Sequence, residues 1–322
     1  MSRRPFILVT RGSPLALAQA NQVLASCQAA FPREIFQIKI VKTTGDKLQS
    51  LSVSQNDPAL PKGLFTKELE NTLLDGTADI AVHSLKDLPT ELPHNLKLAA
   101  VGPREDIRDV LITRATHRKA ALGLQTLPPR ATVATGSIRR KAQLEAMRSD
   151  LQIVPIRGNV GTRLRKLAEA KDLDGLILAA AGMARLSYKF ARNGSLKGPD
   201  VPAGLCATLL SLDEMLPCVG QGAIGLETRS NDARIDAICD ALNDVETMQC
   251  VTAERAFLRA MGGGCQSPLA AHATVSHRRL KLRTLLVHAG KVRRAEIVGA
   301  ANEAAALGTK VASKLSNLAI GS

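Results

Sequence analysis

The strongest constraint on the fold of this 322-residue chain is a rhythm of strand-like and helix-like segments that runs twice, with arginines just past four of the strand ends. Residues 6–10 read as a buried strand, and Pro14 then opens an amphipathic helix reaching about residue 30. Residues 35–42 alternate apolar and polar, as a half-exposed strand does. Apolar positions at 64, 65, 69, 73 and 74 give a helical face closed by Gly76, and residues 79–83 form another short strand. A second set begins near Val110, with strands expected at 110–113, 132–135, 152–156 and 175–179 and helices at about 138–149 and 160–171. Such βαβα alternation argues for α/β architecture. Residues 188–204, rich in Gly, Pro and Lys without a period, read as a loop. From about Asp232 the pattern becomes α+β: helices near 232–243 and 247–260, strand-like runs at 269–275, 279–288 and 292–298, and a helix at 303–318.

With 45% apolar residues the chain can fill real cores, so disorder is excluded as a whole-chain reading. Its longest apolar runs, such as 176–181, are too short to span a bilayer. The opening Met1-Ser2-Arg3-Arg4 leads into five residues of apolar strand, less than a secretory signal needs, which makes the cytoplasm the expected compartment. Six cysteines, at 27, 206, 218, 239, 250 and 265, form no Cys-x-x-Cys pair and have no histidine at ligand spacing, so neither a metal centre nor a disulfide framework is expected. The formal charge of +14 calls for a polyanionic partner. Charge alone suggests nucleic acid, but with no Trp, one Tyr and six Phe, platforms for stacking bases are scarce.

The arginines point elsewhere. They stand in Thr10-Arg11-Gly12-Ser13-Pro14, in Gly136-Ser137-Ile138-Arg139-Arg140, in the run from Arg157 to Arg163, and in Gly182-Met183-Ala184-Arg185. Ligands of open α/β sheets bind beyond the strands' carboxyl ends, where helix N-termini offer free N–H groups to anions. Guanidinium forks at the same edge make bidentate receptors for carboxylate or phosphate. One such arginine is ordinary surface; four strand ends that carry it favour a polyanion site. Asp87, after Lys86, is by itself a helix cap or a solvated pair, though in a cationic cleft an ionised Asp can hold a cationic intermediate. Gly262-Gly263-Gly264-Cys265-Gln266 reads either as a helix end with an incidental cysteine or as a flexible loop presenting a nucleophilic thiol. Gly220-Gln221-Gly222-Ala223 lacks the dinucleotide fingerprint.

In this order, TRGSPLALAQA, KGLFTKELE, ADIAVHSLKDLPT, ATGSIRR, RGNVGTRL, LAAAGMARL, LPCVGQGAIGLE and TAERAFLRAMGGGCQSPLAA closely resemble the porphobilinogen deaminase family, from Thr10 to at least Ala271. The resemblance implies an enzyme that polymerises porphobilinogen with loss of ammonia and releases hydroxymethylbilane. Cys265 matches the cysteine that carries a dipyrromethane cofactor through a thioether. Asp87 matches the catalytic carboxylate, which offsets the charge that develops as ammonia leaves. Arg11, Arg139, Arg140, Arg157, Arg163 and Arg185 are implied to hold the acetate and propionate arms of the pyrroles. Arg11 and Arg157, with Lys86, belong near the reacting ring, whereas Arg139, Arg140 and Arg163 belong with the cofactor. Ser84, Thr135 and Ser137 are further cofactor contacts; Ser13, Gln19, Lys62 and Gln221 are further substrate contacts. One departure is the segment before Lys62, where Pro58 replaces a lysine of the family and prolines should restrict motion.

The resemblance implies two α/β domains of the class II periplasmic-binding-protein type, at 1–104 plus 223–241 and at 105–222, and a small α+β domain at 242–322 bearing Cys265. Crossings near 102–107 and 217–222 should join the first two. A monomer is expected, with porphobilinogen and the growing pyrrole chain as partners and neither nucleic acid nor membrane. The alternative is a lapsed family member or a two-domain sensor of an anionic ligand, which would need neither the loop thiol nor Asp87.

Overall fold

A computed structural model describes residues 4–48, 65–114, 123–191, 194–263, 268–288 and 290–320; Lys62 and Cys265 lie outside them. The chain begins with β1 (Phe6–Arg11), α1 (Pro14–Ala30), β2 (Phe36–Val41), α2 (Thr44–Leu48), α3 (Lys67–Leu74), β3 (Ile80–Ser84) and β4 (Leu96–Val101). It then crosses to β5 (Asp109–Arg114), β6 (Thr132–Ala134), α4 (Ile138–Met147), β7 (Gln152–Val154), α5 (Val160–Glu169), β8 (Gly175–Ala179) and α6 (Ala180–Arg185). A small hairpin, β9 (Lys189–Phe190) and β10 (Leu196–Lys197), leads to β11 (Leu205–Leu209). The chain returns as β12 (Ile224–Arg229) and α7 (Ala233–Leu242), then ends with α8 (Val245–Ala260), β13 (Leu269–Ser276), β14 (Arg279–His288), β15 (Lys291–Ala300) and α9 (Ala304–Ile320).

The two large sheets repeat one plan. The first has the order β2-β1-β3-β12-β4 and the second β7-β6-β8-β5-β11. In each, only the fourth strand runs against its neighbours, β12 against β3 and β4, β5 against β8 and β11. That strand is the one that has just crossed from the other sheet. Because it is antiparallel, it starts at the edge where the parallel strands end: Asp109 pairs with Ala179, and Ile224 with Ser84. Both crossings therefore run along the edge that receives ligands in open α/β sheets. With the antiparallel β13-β14-β15 sheet following, this is the expected class II periplasmic-binding-protein type with a small α+β module.

Side-chain alternation along the strands sends residues to opposite faces. Leu8 of β1 packs with Val23 and Cys27 of α1 and Ile235 and Ile238 of α7, whereas its neighbour Val9 packs with Leu69 and Leu73 of α3. In the second sheet Ile112 joins Leu164 and Leu167 of α5, and Leu111 joins Leu144 of α4. Phe257 of α8 and Val311 and Leu315 of α9 cover the third sheet. Among the described residues no helix is long and apolar enough to cross a membrane.

The expected loop at 188–204 contains the β9–β10 hairpin, joined by Leu196 pairing with Phe190. Strands of two residues carry no period, yet Tyr188 and Leu196 are buried against the second sheet and hold the hairpin down. Strands β4 and β11 had no counterpart in the pattern reading, and β7 stops at Val154.

Candidate functional site

Three helices, α1, α4 and α5, begin just past the ends of β1, β6 and β7, and none carries an acid in its first turn. Helix N-termini ordinarily favour acidic side chains. Here the capping is done by neutral groups: Ser13 Oγ accepts from the Ala16 amide, Ser137 Oγ from Arg140, and Asn159 Oδ1 from Thr162. Thr135 is buried and its Oγ1 accepts from the Ser137 amide. Two of the expected contact serines and Thr135 thus shape turns while leaving the helix ends without negative charge.

Arg11 closes β1. It pairs with Asp46 of α2, and its guanidinium lies 4.1 Å from the centre of the Phe65 ring. Burial opposes ionisation of Asp46, but the Arg11 and Thr43 hydrogen bonds win and hold its carboxyl below the usual range. At the end of β3, Ser84 Oγ donates to Gln19 Oε1 at 2.9 Å, tying the strand to α1. Gln19 is buried, with its Nε2 unpartnered. The chain then turns through a single 3₁₀ turn at Leu85–Asp87, where Lys86 is half-buried and Asp87 exposed.

Arg139 and Arg140 are both buried, and both fork onto one carboxylate. Asp109, wholly buried at the start of β5, accepts from Arg139 Nη2 and Arg140 Nη2, each at 2.8 Å. Arg139 Nη1 also donates to the Leu216 carbonyl, and Arg140 Nη1 to that of Ile177. Burial would raise the Asp109 carboxyl; the two guanidiniums overcome it and hold it far below the normal range. The Nε of each arginine stays buried without an acceptor. Gln221, expected as a substrate contact, donates from Nε2 to the Ile107 carbonyl at 2.6 Å and to Asp109 Oδ1 at 2.9 Å. Both amide hydrogens are spent inside the protein.

Arg157, half-buried, precedes α5, and Lys166 donates to its carbonyl. Arg163 donates from Nε to the Gly158 carbonyl at 2.8 Å. Its pKa is pushed down by burial and, in the same direction, by the positive charge of Arg140. Arg185, at the end of α6, donates from Nη2 to the Gly222 carbonyl at 2.7 Å, and its Nε is buried without a partner. Burial lowers it too, against the pull of Glu105. A guanidinium stays protonated in proteins, so both side chains remain cations despite their burial.

Asp46 and Asp109 were not singled out in the sequence. The signal for Asp109 was an acid immediately before the apolar run Val110-Leu111-Ile112; Asp46 left none. Among the described residues no cluster of His, Cys, Asp and Glu could hold a metal ion. A polycarboxylate group fits this edge: four buried donors, on Gln19, Arg139, Arg140 and Arg185, lack acceptors, and Arg163 and Arg140 repel each other.

Fold and site together define an α/β protein with two large sheets and arginines gathered along the edge of its crossings. Residues 6–237 match the family description "Porphobilinogen deaminase, dipyromethane cofactor binding domain", and residues 248–317 match "Porphobilinogen deaminase, C-terminal domain". The porphobilinogen deaminase of Syntrophus aciditrophicus is 42% identical over 95% of this chain and 93% of its own. That of Moorella thermoacetica is 44% identical over 86% and 81%, and that of Desulforudis audaxviator 41% over 99% and 96%. Among solved structures, the effector binding domain of a BenM variant aligns with 78% of this chain and 95% of its own, at 14% identity and a TM-score of 0.42. The chain belongs to the porphobilinogen deaminase family.

Proposed function

We propose that this chain joins four porphobilinogen molecules head to tail with loss of ammonia, on a dipyrromethane primer carried by Cys265, and releases hydroxymethylbilane by hydrolysis. The observation that carries the reading is the set of buried guanidinium donors without acceptors, beside an Arg163 opposed only by its like-charged neighbour. Acetate and propionate arms supply the missing acceptors. The dipyrromethane group supplies a free pyrrole carbon from which the product grows, and is retained.

In this reading Asp87 accepts pyrrole N–H bonds and offsets the positive charge that grows as the aminomethyl C–N bond of porphobilinogen breaks. It then takes the proton displaced from carbon as the new carbon–carbon bond forms. Lys86, Arg11 and Arg157 orient the reacting ring. Arg139, Arg140 and Arg163, with Ser84, Thr135 and Ser137, hold the cofactor's side of the site; Ser13, Gln19, Lys62 and Arg185 hold the incoming substrate. The three-part division at 1–104 with 223–241, 105–222 and 242–322 belongs to the same reading. So do action as a monomer in the cytoplasm and a pyrrole rather than nucleic acid as the anionic partner.

Intact mass of the denatured protein, with Ehrlich's aldehyde reagent and a Cys265→Ala control, tests it. A covalent excess of two porphobilinogen-derived rings, coloured by the reagent and missing from the variant, is expected. A chain that stays unmodified even after incubation with porphobilinogen overturns the proposal.

A further inference from the structure

A continuous run of hydrogen bonds joins α8 to the two arginines that share Asp109. It starts at Glu254 of α8, whose carboxylate is wholly buried. Oε1 accepts from Arg104 Nη1 at 2.7 Å and from the Ala273 amide at 2.8 Å; Oε2 accepts from Arg104 Nη2 at 3.0 Å and from the Gly220 amide at 2.8 Å. Arg104, on the first crossing, donates from Nε to the Gln221 carbonyl on the second at 2.9 Å. The Gln221 side chain reaches Asp109 at 2.9 Å, and Asp109 takes both arginines. One residue, Gln221, therefore links the anchor on α8 to the receptor on α4.

Stability is a poor explanation for so many buried charges. Desolvation consumes most of what a buried ion pair gains, and apolar residues of similar volume often serve a core as well or better. Fixed geometry is a better one, because a shared carboxylate and a pinned amide leave the forks of Arg139 and Arg140 a single arrangement. The backbone is fixed at the same place: Gly222 has φ +86°, and a Cβ there would lie 2.5 Å from the Glu105 carbonyl oxygen.

We infer that Gln221 is a positioning residue: through Asp109 it holds Arg139 and Arg140 in register with α8, so that the acid arms of the dipyrromethane group meet donors already in place. Gln221 does this without touching substrate. The inference rests on the function proposed above.

The test follows uptake of the two-ring group by the full chain, made without a porphobilinogen source, as a time course of intact mass after porphobilinogen is added. Gln221→Leu and Gln221→Met keep the bulk and remove the donors. Each should slow uptake about tenfold, a modest cost for a misplaced receptor. Asp109→Asn should slow it as well, and the Gln221→Leu/Asp109→Asn double variant should be no slower than the worse single, as members of one network behave. Uptake at the wild-type rate in both Gln221 variants, with only a raised KM for porphobilinogen, makes Gln221 a substrate contact and overturns the inference. So does a double variant whose effect is the product of the two singles. If Asp109→Asn does not fold, the two Gln221 variants decide alone. A wild-type chain that never gains mass sinks the function and the inference together; a wild type that loads beside equally fast Gln221 variants sinks the inference only.

Discussion

Arg163 is held where a cation gains least, partly desolvated and facing Arg140, whose own charge is already paired with Asp109. A residue kept for stability would not sit there; one kept for an anion would. Arg163→Gln should therefore leave the midpoint of thermal unfolding of the cofactor-free chain unchanged or slightly higher, while uptake of the two-ring cofactor slows about tenfold, the worth of one charge-assisted hydrogen bond. An intact-mass time course and a melting curve on the same preparation check both halves. Asp87 makes the opposite case. It is exposed, so Asp87→Asn should barely move the unfolding curve. As the proposed proton acceptor and charge stabiliser, its loss should cut the rate of ammonia release by about a hundredfold or more.

At the scale of elements, the second crossing is the least tolerant segment. Gly222→Ala forces a side chain into a left-handed backbone and against the Glu105 carbonyl, which should cost about 1–3 kcal/mol and lower the urea midpoint. Helix α3 carries a different strain. Glu70 is buried, and burial, helped by Glu227, raises its carboxyl above the usual range. A raised folded value means that its contribution is full below the unfolded value of about 4.3 and is lost as pH rises through the folded one. Glu70→Gln should thus make the urea midpoint flatter with pH on the alkaline side of pH 5, and no lower than wild type at pH 8.

For the whole molecule the acid limb has the reverse sign. Asp109 and Asp46 titrate lower in the folded chain than in the unfolded one. Their contribution is complete above about pH 4 and is lost as pH falls through their folded values. Urea midpoints should therefore decline below about pH 4, and in Asp109→Asn that limb should be shallower from a lower starting stability. A tethered polycarboxylate whose acids pair with arginines only in the folded chain adds to its stability. The cofactor-loaded chain should melt above the cofactor-free one, and high salt should narrow the gap.

Much of this was written locally in the chain. Period-two and period-3.6 patterns marked β1, α1 and the strands and helices of the C-terminal module, because burial of one face leaves its trace residue by residue. Arginines beside glycine turns were legible for a similar reason, since strand end and helix start are adjacent in sequence. Tertiary structure alone decided which charges were already spoken for. Asp109 meets Arg139 from 30 residues away, Glu254 meets Arg104 from 150, and Gln221 meets Asp109 from 112. Pairings over such separations have no period, and they form only when the chain crosses between sheets twice and brings both crossings to one edge. The sequence could therefore place guanidiniums at the strand ends, while the fold determined that Arg139 and Arg140 share one acid and that Gln221 reaches the same carboxylate.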